Sequence, residues 1–168
     1  MTILPPAPAG FEYSARSHNG PRYISTGLFP VGAPNHKLEQ LHQVRALVFD
    51  ADLVDWILGC GPNTDLEQKI GSLDPKEVKA WLHGVPRNEV EELLGRQRVD
   101  LLAAFIDHFG QAPTVVTVSG YGHHALFWLS DDWGYADDDG PHGAEALRRA
   151  NKQAVAAING GVGYRLLD

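Results

Sequence analysis

Two aspartates close an apolar run in Leu47-Val48-Phe49-Asp50-Ala51-Asp52, and about seventy residues later the chain reads Val118-Ser119-Gly120-Tyr121-Gly122-His123-His124. In a strand, residues i and i+2 point to one face, roughly 6–7 Å apart, so Asp50 and Asp52 aim their carboxylates together. Two like charges side by side at the end of a buried strand are costly, and a hard cation relieves that cost. Mg²⁺ and Mn²⁺ favour carboxylate oxygen, and Mg²⁺ typically takes one or two carboxylates together with substrate phosphates. The plainer alternative is that both aspartates end the strand in solvent or cap the segment that follows. In the second stretch, Gly120 and Gly122 allow positive φ and close approach of a ligand to the backbone. The N–H groups of such a turn can receive an anion. Ser119 offers a hydroxyl at the strand end, and His124, opening the return strand, can donate to a phosphate oxygen or orient a nucleophile. The plainer alternative here is an ordinary hairpin turn with two surface histidines. Together the two stretches point to metal-dependent chemistry on a nucleotide.

The elements that must position these residues can be read in outline. Residues 1–22, rich in Pro, Gly and Ser, read as an irregular N-terminal arm, and 23–168 as one domain. Arg22 to Phe29, with β-branched and aromatic residues before Pro30, reads as a short strand. Asn35 to Gln43 is open between a helical turn and a loop. Arg45 to Asp52 reads as a strand buried on both faces. Asp74-Pro75 supplies an N-cap and a first-turn proline, with Gly84 as the stop. Val90, Leu93, Leu94, Leu101, Leu102, Phe105, Ile106 and Phe109 recur at helical spacing between Asn88 and Gly110, with Gly95 as a point of weakness or division. Thr114 to Val118 and His124 to Leu129 flank the glycine turn as a hairpin. Ser130 to Gly143 is an acidic loop, Ala144 to Ile158 a helix stopped by Asn159-Gly160-Gly161, and Tyr164 to Asp168 the start of a strand. Helices mixed with an antiparallel hairpin predict an α+β fold, a mixed or antiparallel sheet with helices packed on it.

Composition narrows the class. The apolar fraction of 43% and charged fraction of 21% are those of a soluble globular chain. Cys60, the only cysteine, excludes an intramolecular disulfide and a Cys-based zinc site and fits a reducing, cytoplasmic location. No apolar run approaches the roughly 20 residues that span a bilayer, and Met1 to Gly10 lacks the basic start of a signal peptide. The net charge of −7 argues against tight, non-specific nucleic-acid binding, which draws on a basic face. Five of the acids, Asp131, Asp132, Asp137, Asp138 and Asp139, crowd one short stretch, and a cation bound at Asp50 and Asp52 would reverse the local sign. Weak, salt-sensitive binding is the expectation.

The two motif stretches resemble the archaeo-eukaryotic primase superfamily, especially the primase–polymerase domains of plasmid and phage replication proteins. In that family an Asp-x-Asp or Asp-x-Glu strand holds the catalytic metals, and a Ser-x-His motif, often Ser-Gly-x-Gly-x-His, binds the incoming nucleotide. Val48-Phe49-Asp50-Ala51-Asp52 looks like the first and Ser119-Gly120-Tyr121-Gly122-His123-His124 like the second, with His124 as the motif histidine. Pro113 before the hairpin, Ala125-Leu126-Phe127-Trp128-Leu129 after it and the early strand at Tyr23-Ile24-Ser25 match the family's context. The resemblance runs from about Tyr23 to the C-terminus. Leu166-Leu167-Asp168 resembles the family's third motif, apolar-apolar-Asp after a helix. Asp131 and Asp132 are rival acids, and a frayed terminus is the plainer reading of Asp168. Related domains continue with another strand and a basic Arg-x-Pro-Gly-like segment, which does not follow Asp168 here. A trimmed, degenerate or minimal domain is therefore expected.

The resemblance implies a nucleotidyltransferase that synthesises primers on a single-stranded DNA template from nucleoside triphosphates, with extension as a further capacity. Mg²⁺ or Mn²⁺ would be held by Asp50, Asp52 and Asp168, and the triphosphate by Ser119, Gly120, Gly122 and His124. Losing a metal carboxylate would nearly abolish turnover, and losing His124 would mainly weaken nucleotide binding. No Gly-x-x-x-x-Gly-Lys-Ser/Thr stretch is present, so a helicase would be a further domain or a separate partner. Two other classes stay open: a non-catalytic nucleotide- or nucleic-acid-binding domain of the same shape, and a metal-dependent phosphohydrolase or nuclease. His18, His36, His42, His83, His108 and His142 lack metal-ligand spacing and read as surface or core filler. His123-His124 lacks the His-apolar-His pattern of rolling-circle nucleases. Trp56, Trp81 and Trp128 read as core, Trp133 as the best exposed stacking candidate, and Arg148, Arg149 and Lys152 as a solvated helix face.

Overall fold

The computed structural model describes residues 6–16, 23–33, 43–59, 74–129 and 141–168. Four helices and six strands lie among them, an α+β chain as the mix of periodicities predicts. The chain divides into two compact units, Met1–Val48 with Leu126–Gln153, and Phe49–Ala125 with Ala154–Asp168.

In the first unit, β1 (Phe11–Arg16) pairs antiparallel with β2 (Tyr23–Pro30), from Phe11 opposite Pro30 to Arg16 opposite Tyr23, with a register shift between Tyr13 and Ala15. The short β3 (Gln43–Val44) pairs antiparallel with β2 on its other side. The irregular arm expected over 1–22 is therefore corrected at Phe11–Arg16, where an apolar residue at every second position suits a pleated strand despite the Pro- and Gly-rich surroundings. Residues 1–5, 17–22 and 34–42 lie outside the described residues, and with them His18, His36, His42 and most of the ambiguous 35–43 stretch. Leu28 is fully buried, and the backbone N–H of Leu129 donates to the Arg45 carbonyl at 2.9 Å.

A second three-stranded sheet has the order β4-β6-β5. Its strands are β4 (Ala46–Asp52), β5 (Val115–Val118) and β6 (Gly122–Trp128), the last opening two residues before the predicted His124. β4 is not buried on both faces: Phe49 and Ala51 are buried, Asp50 is exposed and Asp52 half-buried.

The second unit is organised around Phe49. Its ring packs on Phe105 and Phe109 with centroids 5.2 and 5.8 Å away. Both belong to the long helix spanning Arg87–Phe109, here α3, which Gly95 does not interrupt. Gly110, at φ 71°, ends α3 by donating to the Ile106 carbonyl, a left-handed position that glycine takes without steric cost. Ahead of it, α2 (Pro75–Gly84) begins as its sequence predicts, Asp74 Oδ1 accepting from the Lys76 N–H at 2.8 Å with Pro75 in the first turn. A further helix, α1 (Leu53–Gly59), not expected from the sequence, starts directly where β4 stops. Its Trp56 is buried and donates from Nε1 to Asp100 Oδ2 at 2.8 Å. The last helix, α4, is longer than predicted and runs Pro141–Val162. Asn159, Gly160 and Gly161 lie within it, and Gly163 at φ 80° closes it by donating to the Asn159 carbonyl. The loop expected over Ser130–Gly143 thus yields its last three residues to α4, and residues 130–140, with Asp131, Asp132, Trp133, Asp137, Asp138 and Asp139, lie outside the described residues, as does Cys60. Among the described residues no helix is long and apolar enough to cross a membrane.

Candidate functional site

Asp50 and Asp52 occupy alternate positions at the end of β4, and the hairpin turn brings the second motif beside them. The Ser119 N–H donates to the Gly122 carbonyl at 2.9 Å, closing the turn, and the Leu53 N–H donates to the Tyr121 carbonyl at 2.8 Å, joining the end of β4 to the start of β6. That antiparallel register sets Asp52 across from Gly122 and Asp50 across from His124. His124 Nε2 stands 3.5 Å from Asp50 Oδ1, with 38% and 52% of the two side chains exposed. Both polar groups therefore face water, where a ligand could reach them. A protonated His124 would be an exposed counter-ion for Asp50, a weak pairing by itself.

The two glycines of the turn differ in role. Gly120 has φ 72° and nothing within 4 Å of where a Cβ would lie, so it is there for the turn's backbone conformation. A Cβ on Gly122 would stand 2.3 Å from the Ala51 carbonyl oxygen and 3.3 Å from the Asp52 Cα. Gly122 has no positive φ and is buried. What approaches its backbone closely is β4, and the positive φ expected at Gly122 is not adopted.

Asp52 realises part of its plainer alternative. Its Oδ1 accepts from the Val54 N–H at 2.7 Å and caps α1. A carboxylate has about four lone-pair sites, so capping leaves acceptor capacity on the same group.

Asp168 comes to β4 through its backbone. Its N–H donates to the Asp50 carbonyl at 2.9 Å. Tyr164 to Asp168 forms no strand; the segment is fixed instead by the side chain of Asn159. Asn159 Oδ1 accepts from the N–H groups of Leu166 and Leu167, each at 2.9 Å, and its Nδ2 donates to the Leu167 carbonyl at 2.9 Å. Leu166 and Leu167 are buried, which anchors the segment further. The Asp168 carboxylate pairs with Arg165, whose Nε also lies 3.3 Å from Asp55 Oδ2. Asn159→Ala is expected to lower stability by about 1–3 kcal/mol through the three lost bonds. The amide proton of Asp168 should also lose its protection, which hydrogen exchange reads directly.

Among the described residues no three His, Cys, Asp or Glu side chains form a group that could hold a metal ion. The backbones of Asp50, Asp52 and Asp168 are brought together, while the Asp52 and Asp168 carboxylates each have a protein partner.

His123 departs from the expectation of a surface histidine in the turn. It is no surface histidine: 2% of it is exposed, and its Nδ1 lies 2.9 Å from Oε1 of the fully buried Gln97. Gln97 Nε2 in turn donates to the Ala51 carbonyl at 3.2 Å. Burial first, and the Arg98 charge second, hold the His123 pKa below its ordinary 6.5. The unfolded chain therefore takes up a proton below about 6.5 that the folded chain refuses. Stability should fall as pH drops through that range until the lower, folded pKa is passed. Urea unfolding of parent and His123→Asn between about pH 7.5 and 5.5 checks this, the variant losing that part of the slope.

Tyr121, inside the turn, sets its ring edge-on to His83 with centroids 5.0 Å apart and its hydroxyl 3.4 Å from His83 Nδ1. Of the tryptophans read as core, Trp56 is buried, Trp81 half-buried, and Trp128 is 43% exposed, which corrects its assignment. Arg148, Arg149 and Lys152 are exposed on α4. Comparison with protein-family models, with curated proteins and with solved structures finds no match to this chain.

Proposed function

We propose that the chain is a metal-dependent nucleotidyltransferase of the primase–polymerase type, synthesising primers from nucleoside triphosphates on single-stranded DNA, as in plasmid or phage replication. The observation that supports this most is the meeting of three segments distant in sequence: Asp50 faces His124 at 3.5 Å, and the Asp168 N–H bonds the Asp50 carbonyl. The residue types, carboxylates alone, suit a hard divalent cation such as Mg²⁺ or Mn²⁺, but as they stand the three side chains do not form a group that could hold one. Asp50, Asp52 and Asp168 are the residues that would hold it, Asp168 after release from Arg165 and Asp52 with the acceptor capacity that capping leaves. Bound there, the cation would lower the pKa of an attacking 3′-hydroxyl and offset charge on the departing pyrophosphate.

The chain's own groups do the rest. The turn at Ser119–Gly120 offers backbone N–H groups and a hydroxyl to the triphosphate. His124, half-exposed at the start of β6, donates to a phosphate oxygen. Incubation with single-stranded template, labelled nucleoside triphosphates and Mn²⁺ or Mg²⁺ tests the proposal; labelled oligomers support it.

A second reading has its own observation. With Asp52 capping α1 and Asp168 paired to Arg165, the same surface suits a domain that binds nucleotide without transferring it. Nucleotide binding by calorimetry without oligomer synthesis would identify that domain.

A further inference from the structure

Gln97 is fully buried on α3, in a helix whose other buried positions are Val90, Leu93, Leu94, Leu101, Ala104 and Phe105. A buried amide among apolar neighbours is costly unless its hydrogen bonds are made. Gln97 makes them to two adjacent strands at once. Its Nε2 donates to the carbonyl of Ala51 in β4, between Asp50 and Asp52, and its Oε1 lies 2.9 Å from Nδ1 of His123 in β6, next to His124. An amide oxygen can only accept, so His123 donates from Nδ1–H and carries its proton there. The strands' inner faces are thus tied to one side chain, while their outer faces present Asp50 and His124.

We infer that Gln97 and His123 form a buried bracket that positions the edge bearing Asp50, Asp52 and His124 for nucleotidyl transfer; the inference rests on the proposed function. Ala51 supplies the peptide carbonyl that Gln97 holds and that a Cβ on Gly122 would strike, so a shift in Gln97 moves the carboxylates on either side of it. Gln97 and His123 are positioning residues, since neither is exposed enough to meet substrate. The bracket's effect falls on alignment in the transition state, where a displacement of about 1 Å can cost on the order of 100-fold.

The test compares Gln97→Met, His123→Leu and His123→Asn in the full chain. Methionine matches glutamine in length without its hydrogen bonds, and asparagine returns a donor near the Nδ1 position. The expected result is a fall in kcat of about tenfold or more in Gln97→Met and His123→Leu, with KM for nucleotide within about threefold. His123→Asn should retain most of the parent's kcat. The Gln97→Met/His123→Leu double variant should be no worse than either single one, since the two act as a unit. A folded Gln97→Met with the parent's kcat overturns the bracket, as does additive loss in the double variant. Should Gln97→Met fail to fold, the contrast between His123→Leu and His123→Asn decides, and equal loss in both overturns it. A parent chain that makes no polymer ends the nucleotidyl-transfer reading instead. The bracket is then judged by nitrogen NMR of His123: the Nδ1–H tautomer, lost or exchanging in Gln97→Met, supports it, and the Nε2–H tautomer overturns it.

Discussion

Gly122→Ala should destabilise the chain by about 3 kcal/mol, the upper end for forcing an extra methyl into a packed site. The added Cβ would stand 2.3 Å from the Ala51 carbonyl oxygen. That atom is backbone, in the strand that carries Asp50 and Asp52, and it already accepts from Gln97. Relief requires β4 and β6 to move apart, with loss of the Leu53–Tyr121 bond and of the Asp50–His124 facing. Gly120→Asn is the contrast: its site is open, and asparagine tolerates a left-handed φ. Urea unfolding should place Gly120→Asn within about 1 kcal/mol of the parent and Gly122→Ala far below it. If Gly122 served to admit a ligand, Gly122→Ala would fold like the parent and lose only nucleotide binding.

The elements legible in the sequence were those with local causes. The Asp74-Pro75 cap, the αL stop at Gly110 and the strand ending at Asp52 each rest on a few neighbouring residues. What escaped depended on partners far along the chain. The Phe11–Arg16 strand exists by pairing with Tyr23–Pro30 across a Pro- and Gly-rich background. The helix at Leu53–Gly59 takes its cap from Asp52, a residue whose spacing from Asp50 suggests a metal ligand. Asn159 and the two glycines after it read as a stop signal, yet the helix continues to Val162 and Asn159 turns its amide onto the C-terminal segment. Within the candidate site, Asp50 and His124 could be picked from their motifs. The packing role of Gly122 and the burial of His123 on Gln97 could not, because both depend on a strand or helix distant in sequence.

The proposed function predicts that Asp50→Asn cuts nucleotidyl transfer on the order of 10³-fold, the scale of losing a group that stabilises charge developing in the transition state. Asparagine keeps size and one oxygen but removes the negative charge that a cation needs. The Asp50 side chain is half exposed and its facing with His124 is a surface pair, so folding should change by less than about 1 kcal/mol. Its backbone carbonyl, which accepts from Asp168, is untouched by the substitution. The variant should thus be folded, inactive and weakened in Mn²⁺-dependent nucleotide binding. Parent-like activity in folded Asp50→Asn would remove this aspartate from the site.

The most direct measurement is template-directed synthesis of labelled oligomers by the parent chain with Mn²⁺ or Mg²⁺, run beside Asp50→Asn. Oligomers whose sequence follows the template, made by the parent and absent with the variant, are the predicted result. No oligomer from the folded parent under any of these conditions, or equal yield from both chains, would contradict the account.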